Sequence, residues 1–254
     1  MKLTFLGTGA ADWPKVRESE FHRYLSSALV NDDLLIDPGP CIFSFQADMG
    51  RPLFTGVKNV ILTHSHGDHY NAGTLLALCE AGPITFYATA EVAQVVPKSP
   101  NLTYVPITPF VPFTVGDYEI LPVPSSHSTS IPEETPVNYV ITQGNKCLFY
   151  GLDGAWIPNK SYHALKKFAF DAMVFDCTSG EVDGEFRIFE HNTIPMLEYL
   201  LHHMRLAFPT MFKPGCKLIA THMARTLHGT HEETAARLAE FGMLAAYDGY
   251  QMEI

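Results

Sequence analysis

Thr63-His64-Ser65-His66-Gly67-Asp68-His69 follows directly on Val60-Ile61-Leu62. The apolar tripeptide is a buried-strand pattern, and four side chains able to bind metal fall within the six residues from His64 to His69. On an extended segment, residues i and i+2 point the same way, so His64 and His66 can converge on one ion. Gly67 permits a sharp turn. Asp68 and His69 then open a helix at residue 70 and can face a second ion beside the first.

Four residues cannot close two sites, and three further candidates follow strand-like runs. Run 118–123 leads through Pro124-Ser125-Ser126 to His127. Run 147–150 leads through Gly151-Leu152 to Asp153, which Gly154 follows. Run 217–220 leads through Thr221 to His222. Each candidate stands just past a strand end, as the first motif does, and ligands at the ends of adjacent strands gather at one sheet edge. Singly, each has a plainer reading: a turn histidine, an Asp-Gly turn, a helix-capping group. Together with the first motif they form one ligand set.

The rest of the chain supplies the scaffold. It has 254 residues, 46% hydrophobic, which suits one domain with a sizeable core over 1–254. Short runs rich in Val, Ile, Leu and Phe predict strands at 2–6, 25–30, 33–37, 58–62, 84–88, 102–106, 118–123, 137–142, 146–150, 171–175 and 217–220. Helical patterns fill 71–81, 89–95, 159–168, 191–206 and 231–241. Thr230 with Glu233 three residues on makes a capping box for the last, and His231 reads as a solvated first-turn residue. Nine of the 18 prolines lie between Pro97 and Pro136, which makes that stretch strands and turns rather than helix. The expected class is mixed α/β, with two sheets inside and helices outside.

Charge and cysteines exclude other classes. Lys plus Arg number 17 against 27 Asp plus Glu, a formal charge of −10. That argues against a nucleic-acid binder and against docking on anionic membranes. Five cysteines, none in Cys-x-x-Cys spacing, predict free thiols in a reducing cytoplasm rather than a disulfide framework or a thiolate zinc site. The N-terminal apolar run is too short for a signal peptide, and no stretch is long enough to span a membrane.

His-x-His-x-Asp-His, followed by a His, an Asp and a His at strand ends, resembles the metallo-β-lactamase superfamily. The likeness runs over the whole chain. It begins at Leu3-Thr4-Phe5-Leu6-Gly7-Thr8-Gly9 and includes Leu34-Leu35-Ile36-Asp37-Pro38-Gly39. Further on, Val174-Phe175-Asp176-Cys177-Thr178, His191-Asn192-Thr193, Ala220-Thr221-His222 and Ala246-Tyr247-Asp248-Gly249 are similar to the phosphoribosyl cyclic phosphate phosphodiesterases of the carbon–phosphorus lyase pathway. They are more distantly similar to the tRNA 3′-processing endonucleases. The stretch Ala11 to Tyr24 departs from the former: it lacks the cysteines of their accessory zinc site. No counterpart of the endonucleases' protruding tRNA-binding arm is evident.

The resemblance implies the αββα sandwich, α/β with two mixed sheets flanked by helices. It implies His64, His66 and His127 for one divalent ion, Asp68, His69 and His222 for a second, and Asp153 as the bridge. With only nitrogen and oxygen donors, the ions are Zn²⁺ or Mn²⁺, with Fe²⁺ also admitted. Two such ions share a bridging hydroxide that attacks a phosphodiester in line. Asp68 and His191 are the implied catalytic residues, His191 aiding departure of the leaving oxygen; its plainer reading is a neighbour of a helix N-cap. Asp37 is either an orienting partner of a ligand histidine or a plain Asp-Pro-Gly turn.

Residues 178–190, with Gly180 and Gly184, read as a mobile loop over the site. His22, His163, His202, His203 and His228 carry no assigned role. The expected enzyme is thus a dinuclear hydrolase of a small anionic ester, with a homodimer as the superfamily's common assembly and no nucleic-acid or membrane partner. Two alternatives stand beside it: a lactone, thioester or carboxylic-ester hydrolase on the same metals, and a non-catalytic metal or metabolite binder.

Overall fold

Alternate residues along the central strands are buried on opposite faces, so each sheet is covered on both sides. In the computed structural model, which describes residues 1–254, fourteen strands form two seven-stranded sheets. The first holds β1 (Lys2–Gly7), β2 (Ser27–Val30), β3 (Leu34–Ile36), β4 (Asn59–Ile61), β5 (Ile84–Thr89) and β6 (Leu102–Ile107), with β14 (Gln251–Glu253) added at the β1 edge. The second holds β7 (Phe113–Val115), β8 (Tyr118–Pro124), β9 (Val137–Gln143), β10 (Lys146–Gly151), β11 (Phe170–Asp176), β12 (Phe212–Thr221) and β13 (Leu244–Ala245), in reverse spatial order. Pairing is antiparallel from β14 to β3 and parallel from β3 to β6. It is likewise antiparallel from β7 to β10 and parallel from β10 to β13. Both sheets are therefore mixed, and the fold is the expected αββα sandwich.

The faces explain the layers. Leu34, Ile36 and Ile61 point into a central cluster shared with Leu148, Tyr150, Val174 and Ile219 of the other sheet. Leu35 and Val60 point outward, against Ile42 and Phe45 of α1 (Ile42–Met49) and Leu75 and Leu78 of α2 (Ala72–Ala81). On the far side, Phe149, Met173 and Phe175 meet Leu165 of α3 (Asn159–Leu165), Leu197 and Leu201 of α4 (Ile194–Ala207) and Leu238 of α5 (His231–Ala239). Each fully buried side chain of this kind contributes about 1.5–3 kcal/mol of transfer free energy. Strands buried on both faces read as continuous apolar runs, which is why the central ones are visible in the sequence.

Several elements differ from expectation. The predicted helix 89–95 is a 3-10 turn, Ala90–Val95. The helix expected from residue 191 starts at Ile194, capped by Thr193 through the amide of Met196, so His191 lies ahead of it in the loop. The helix expected from residue 70 starts at Ala72, after Asn71, whose side chain caps Thr74 N. The eight-residue α1 and the short edge strands β7, β13 and β14 were not anticipated. Two or three residues carry too little periodicity to signal a strand, and pairing such as Leu3 with Met252 creates it.

Candidate metal centre

Asp37 organises the His-rich turn. It directly follows β3, is fully buried and adopts the left-handed region at φ 60°, where short polar side chains are tolerated better than most. Its carboxylate accepts the Thr63 amide at 2.8 Å, the Thr63 hydroxyl at 2.9 and 3.0 Å, and His69 Nδ1 at 2.8 Å. The second sheet grips the same turn. Tyr139 donates its hydroxyl to Leu62 O at 2.5 Å, and Val137 N donates to Thr63 O at 3.0 Å. Glu134 accepts the amide of Ser65 at 2.9 Å and also its hydroxyl. The amides of His69 and Tyr70 both donate to His66 O, closing the turn before α2.

The structure brings all seven predicted ligands together. His66 Nδ1 lies 3.1 Å from His64 Nε2 and 3.1 Å from His127 Nε2. In a second cluster, His69 Nε2 lies 3.1 Å from His222 Nε2, and Asp68 Oδ2 lies 3.6 and 3.3 Å from the same two atoms. Asp153 Oδ2 sits between the clusters. It is 3.3 Å from His69 and His222, 3.8 Å from His64 and 3.9 Å from His127. Atoms bound about 2.0–2.2 Å from a tetrahedral ion stand about 3.3–3.6 Å from one another, a range that the observed separations of 3.1 to 3.9 Å bracket. The first cluster draws on both sheets, and so does the second.

Partners behind the rings select the free nitrogen. His64 Nδ1 lies 3.1 Å from the Thr63 hydroxyl, His127 Nδ1 3.2 Å from Glu190 O, and His222 Nδ1 2.7 Å from the Thr178 hydroxyl. Each leaves Nε2 facing the cluster, and the Asp37 bond does the same for His69. His222 takes φ 59° at the end of β12, a conformation that costs energy and turns the ring into the site.

Charge makes the same case for cations. Asp37, Asp68, Asp153 and Asp176 are all buried, and none has a lysine or arginine within ion-pairing distance; their charged neighbours are histidines. Buried carboxylates demand compensating positive charge. Burial opposes ionisation of Asp68, but His69 and His222 hold its carboxyl well below the usual range. Burial also works against a charged His69, yet Asp153 and Asp68 push it well above its ordinary value. Asp153 Oδ1 is buried with no hydrogen-bond partner. The donor set, spacing and carboxylate excess all fit two divalent ions.

His191 sits beside these ligands, its ring stacked on that of His222 with centroids 5.5 Å apart. Its Nδ1 lies 2.7 Å from Asp176 Oδ2 and 3.0 Å from the Thr178 hydroxyl. Burial lowers its basicity, but Asp176 wins and raises it to about 9. Asp176 and Thr178 escaped assignment from sequence, although Asp176 ends β11 just as the ligands end or follow their strands; strand-end position was the signal available. Loop 178–190 does border the site: Thr178, Arg187 and Glu190 line a cavity of about 350 Å³ together with His66, Asp68, Asp153 and His191. Larger surface clefts of about 730 and 610 Å³ lie around Tyr199 and around Arg23, and neither contains a candidate ligand.

Comparison with known proteins agrees with this architecture. The family model of the β-lactamase superfamily domain matches residues 33–238. Zn²⁺-bound PqqB from Methylobacterium extorquens superposes with a TM-score of 0.76 at 21% identity, covering all of both chains. A diphosphatase of the PhnP family gives 0.68 at 18%, covering 100% of this chain and 97% of that one. Human tRNase Z, short form, gives 0.70 at 18%, covering 100% and 99%. No protein of curated function is significantly similar in sequence.

Proposed function

The chain belongs to the β-lactamase superfamily, and from that membership we propose that it is a dinuclear metal-dependent phosphodiesterase acting on a small phosphate diester, cyclic esters included. His64, His66 and His127 would hold one ion, Asp68, His69 and His222 the other, and Asp153 both. Nitrogen and oxygen donors suit Zn²⁺ or Mn²⁺, and the zinc-bound PqqB neighbour makes zinc the first ion to test. When bound, the pair supplies Lewis acidity toward phosphoryl oxygens and brings the pKa of a water down to about 7.

The observation that carries the phosphodiester reading is His191. Its Nδ1–H donates to Asp176, so the proton on Nε2 is the one available to the cavity. There it can be given to a departing alkoxide, which is worth about 10²–10⁴-fold as general acid catalysis. Asp68, held ionised by His69 and His222, is the carboxylate we propose as acceptor of a proton from the attacking water. The diphosphatase and tRNase among the structural neighbours support a phosphate ester. Against RNA as substrate stands the formal charge of −10.

The test is turnover of bis(p-nitrophenyl) phosphate and of cyclic phosphates by metal-loaded protein. Hydrolysis is expected, and His191→Ala should lower kcat about 10²–10⁴-fold with metal content unchanged. Cleavage of lactones or thioesters instead, indifferent to His191→Ala, overturns the proposal in favour of ester chemistry. No helix is long and apolar enough to cross a membrane, and all five cysteines are free. We place the enzyme in the cytoplasm, as a homodimer, on the same footing as the substrate.

A further inference from the structure

The candidate ligand histidines are not all held by the same means. Asp37 backs the ring of His69, and the Thr178 hydroxyl backs that of His222. The Thr63 hydroxyl and Glu190 O back His64 and His127. His66 is the exception: its Nδ1 faces the cluster, and no protein group hydrogen-bonds its Nε2. The direction of that ring is left to the backbone that carries it.

Ser65 is the residue between His64 and His66, and a single side chain holds it. Glu134 accepts the Ser65 amide through Oε1 at 2.9 Å and the Ser65 hydroxyl through Oε2. Both carboxylate oxygens are spent on this one residue. Glu134 is buried, and a buried carboxylate is costly unless it is paired or hydrogen-bonded. Here the compensation comes from Ser65. A shift of Ser65 would strand the carboxylate without partners, which makes the clamp stiff.

The clamp belongs to a segment that also supplies a ligand. Residues 125–136 join β8 to β9, and Ser125 N donates to Pro136 O at 2.9 Å across the base of this loop. His127 stands on one arm. Glu134 stands on the other, its amide donated to Ile131 O at 3.0 Å. One loop thus provides one ligand and grips the residue between two more. No hydrogen bond joins it to Asp68, His69 or His222, whose own bonds run to one another, to Asp37 and to Thr178.

We propose that Glu134 is a positioning residue for one ion alone, the ion of His64, His66 and His127. Acting through Ser65, it sets His64 and His66 against His127, and the ion of Asp68, His69 and His222 does not depend on it. The inference rests on the dinuclear reading of the site.

The test counts zinc and locates it. At a buffered free Zn²⁺ that fills both positions of the wild type, Glu134→Ala should retain one ion, the other being bound about 10–100-fold more weakly in chelator competition. In ¹H–¹⁵N spectra of the histidine rings, the metal-bound shift should vanish at His66 and persist at His69 and His222. Glu134→Gln should recover most of the affinity, because its amide can still accept the Ser65 N–H and donate to the hydroxyl. Equal weakening of both ions, unchanged binding of both, or a Glu134→Gln no better than Glu134→Ala overturns the assignment. Should Glu134→Ala not fold, Glu134→Asp replaces it, keeping the charge but falling one methylene short of Ser65, with the same outcomes expected. If the wild type takes up fewer than two ions, the dinuclear reading fails, and the His66 ring still decides Glu134. A ring bound in the wild type and free in the variant sustains the role, and any other pattern rejects it.

Discussion

Thr178 holds the key proton inventory at the scale of single residues. Its hydroxyl has one proton, and Asp176 Oδ1 at 2.6 Å can only accept it. His222 Nδ1, 2.7 Å away, must therefore donate to Thr178, which leaves His222 Nε2 with its lone pair toward the cluster. Asp176 Oδ2 meanwhile takes the Nδ1 proton of His191. One carboxylate and one hydroxyl set the tautomer of a candidate ligand and the orientation of the candidate acid together. Thr178→Val should weaken metal binding about 10–100-fold, measured by competition with a chromogenic chelator, while Thr178→Ser should stay near wild type. Asp37→Asn should cost a similar factor through His69. Wild-type affinity in both variants would show that these partners do not tune the ligands. His64 and His66 were legible from spacing alone, because i, i+2 alternation needs only a strand, whereas His127 and His222 were strand-end candidates that the resemblance made ligands. Thr178 and Asp176 were not, because their meaning comes from His222, which is distant in sequence and arrives by folding.

At the scale of elements, strand ends do the positioning. His127, Asp153 and His222 follow β8, β10 and β12, three strands of one sheet, while the His-rich turn follows β4 of the other. Long buried strands such as β11 were readable; the two- and three-residue edges were not, since their pairing rather than their composition defines them. The second sheet also has an acid-sensitive tie. Asp171 on β11 accepts the Cys147 amide of β10 at 2.8 Å and Lys213 Nζ at 2.6 Å. Burial opposes its ionisation, but Lys213 and the Cys147 amide together hold its carboxyl below the usual value. A depressed carboxyl contributes stability above its unfolded pKa and loses it as pH falls through the folded one. Asp171→Asn should therefore destabilise by about 1–2 kcal/mol at pH 7, and the gap to wild type should close below about pH 4 in denaturant titrations. A pH-independent gap would assign the loss to packing. Removing the capping box of α5 by Thr230→Ala should cost about 1 kcal/mol in the same assay.

For the whole molecule, the candidate metal centre is a joint between two sheets. Each candidate ion takes ligands from both, so occupancy should resist their separation. Anything bound to the native state alone stabilises by mass action. Chelation should lower the melting temperature by several degrees, about 2–4 °C for each kcal/mol of binding free energy lost, and Asp153→Asn should abolish most of that difference. Unchanged melting on chelation would argue that no ion bridges the sheets. The formal charge of −10 belongs to this scale too. Two divalent ions in the candidate site would concentrate positive charge in a pit within an acidic surface, which would admit a small anion and repel a polyanion. The protein should accordingly fail to retain tRNA in gel-shift experiments even at low salt, where electrostatic binding is strongest.

The sequence by itself showed the central strands and the His-rich turn and offered His127, Asp153 and His222 as candidates at strand ends; its resemblance to known families implied the fold, the full ligand set and His191. Strand alternation and the turn glycine are local properties, written within a few residues of one another. Only the tertiary structure decided that Asp153 stands between two clusters, that Asp37 backs His69, and that Asp176 and Thr178 join His191 to His222. It also decided that the turn carrying Arg187 borders the cavity. Those relations depend on two sheets packed face to face in a defined register. Hydrophobic burial between the sheets sets that register, and no short-range pattern in the chain records it.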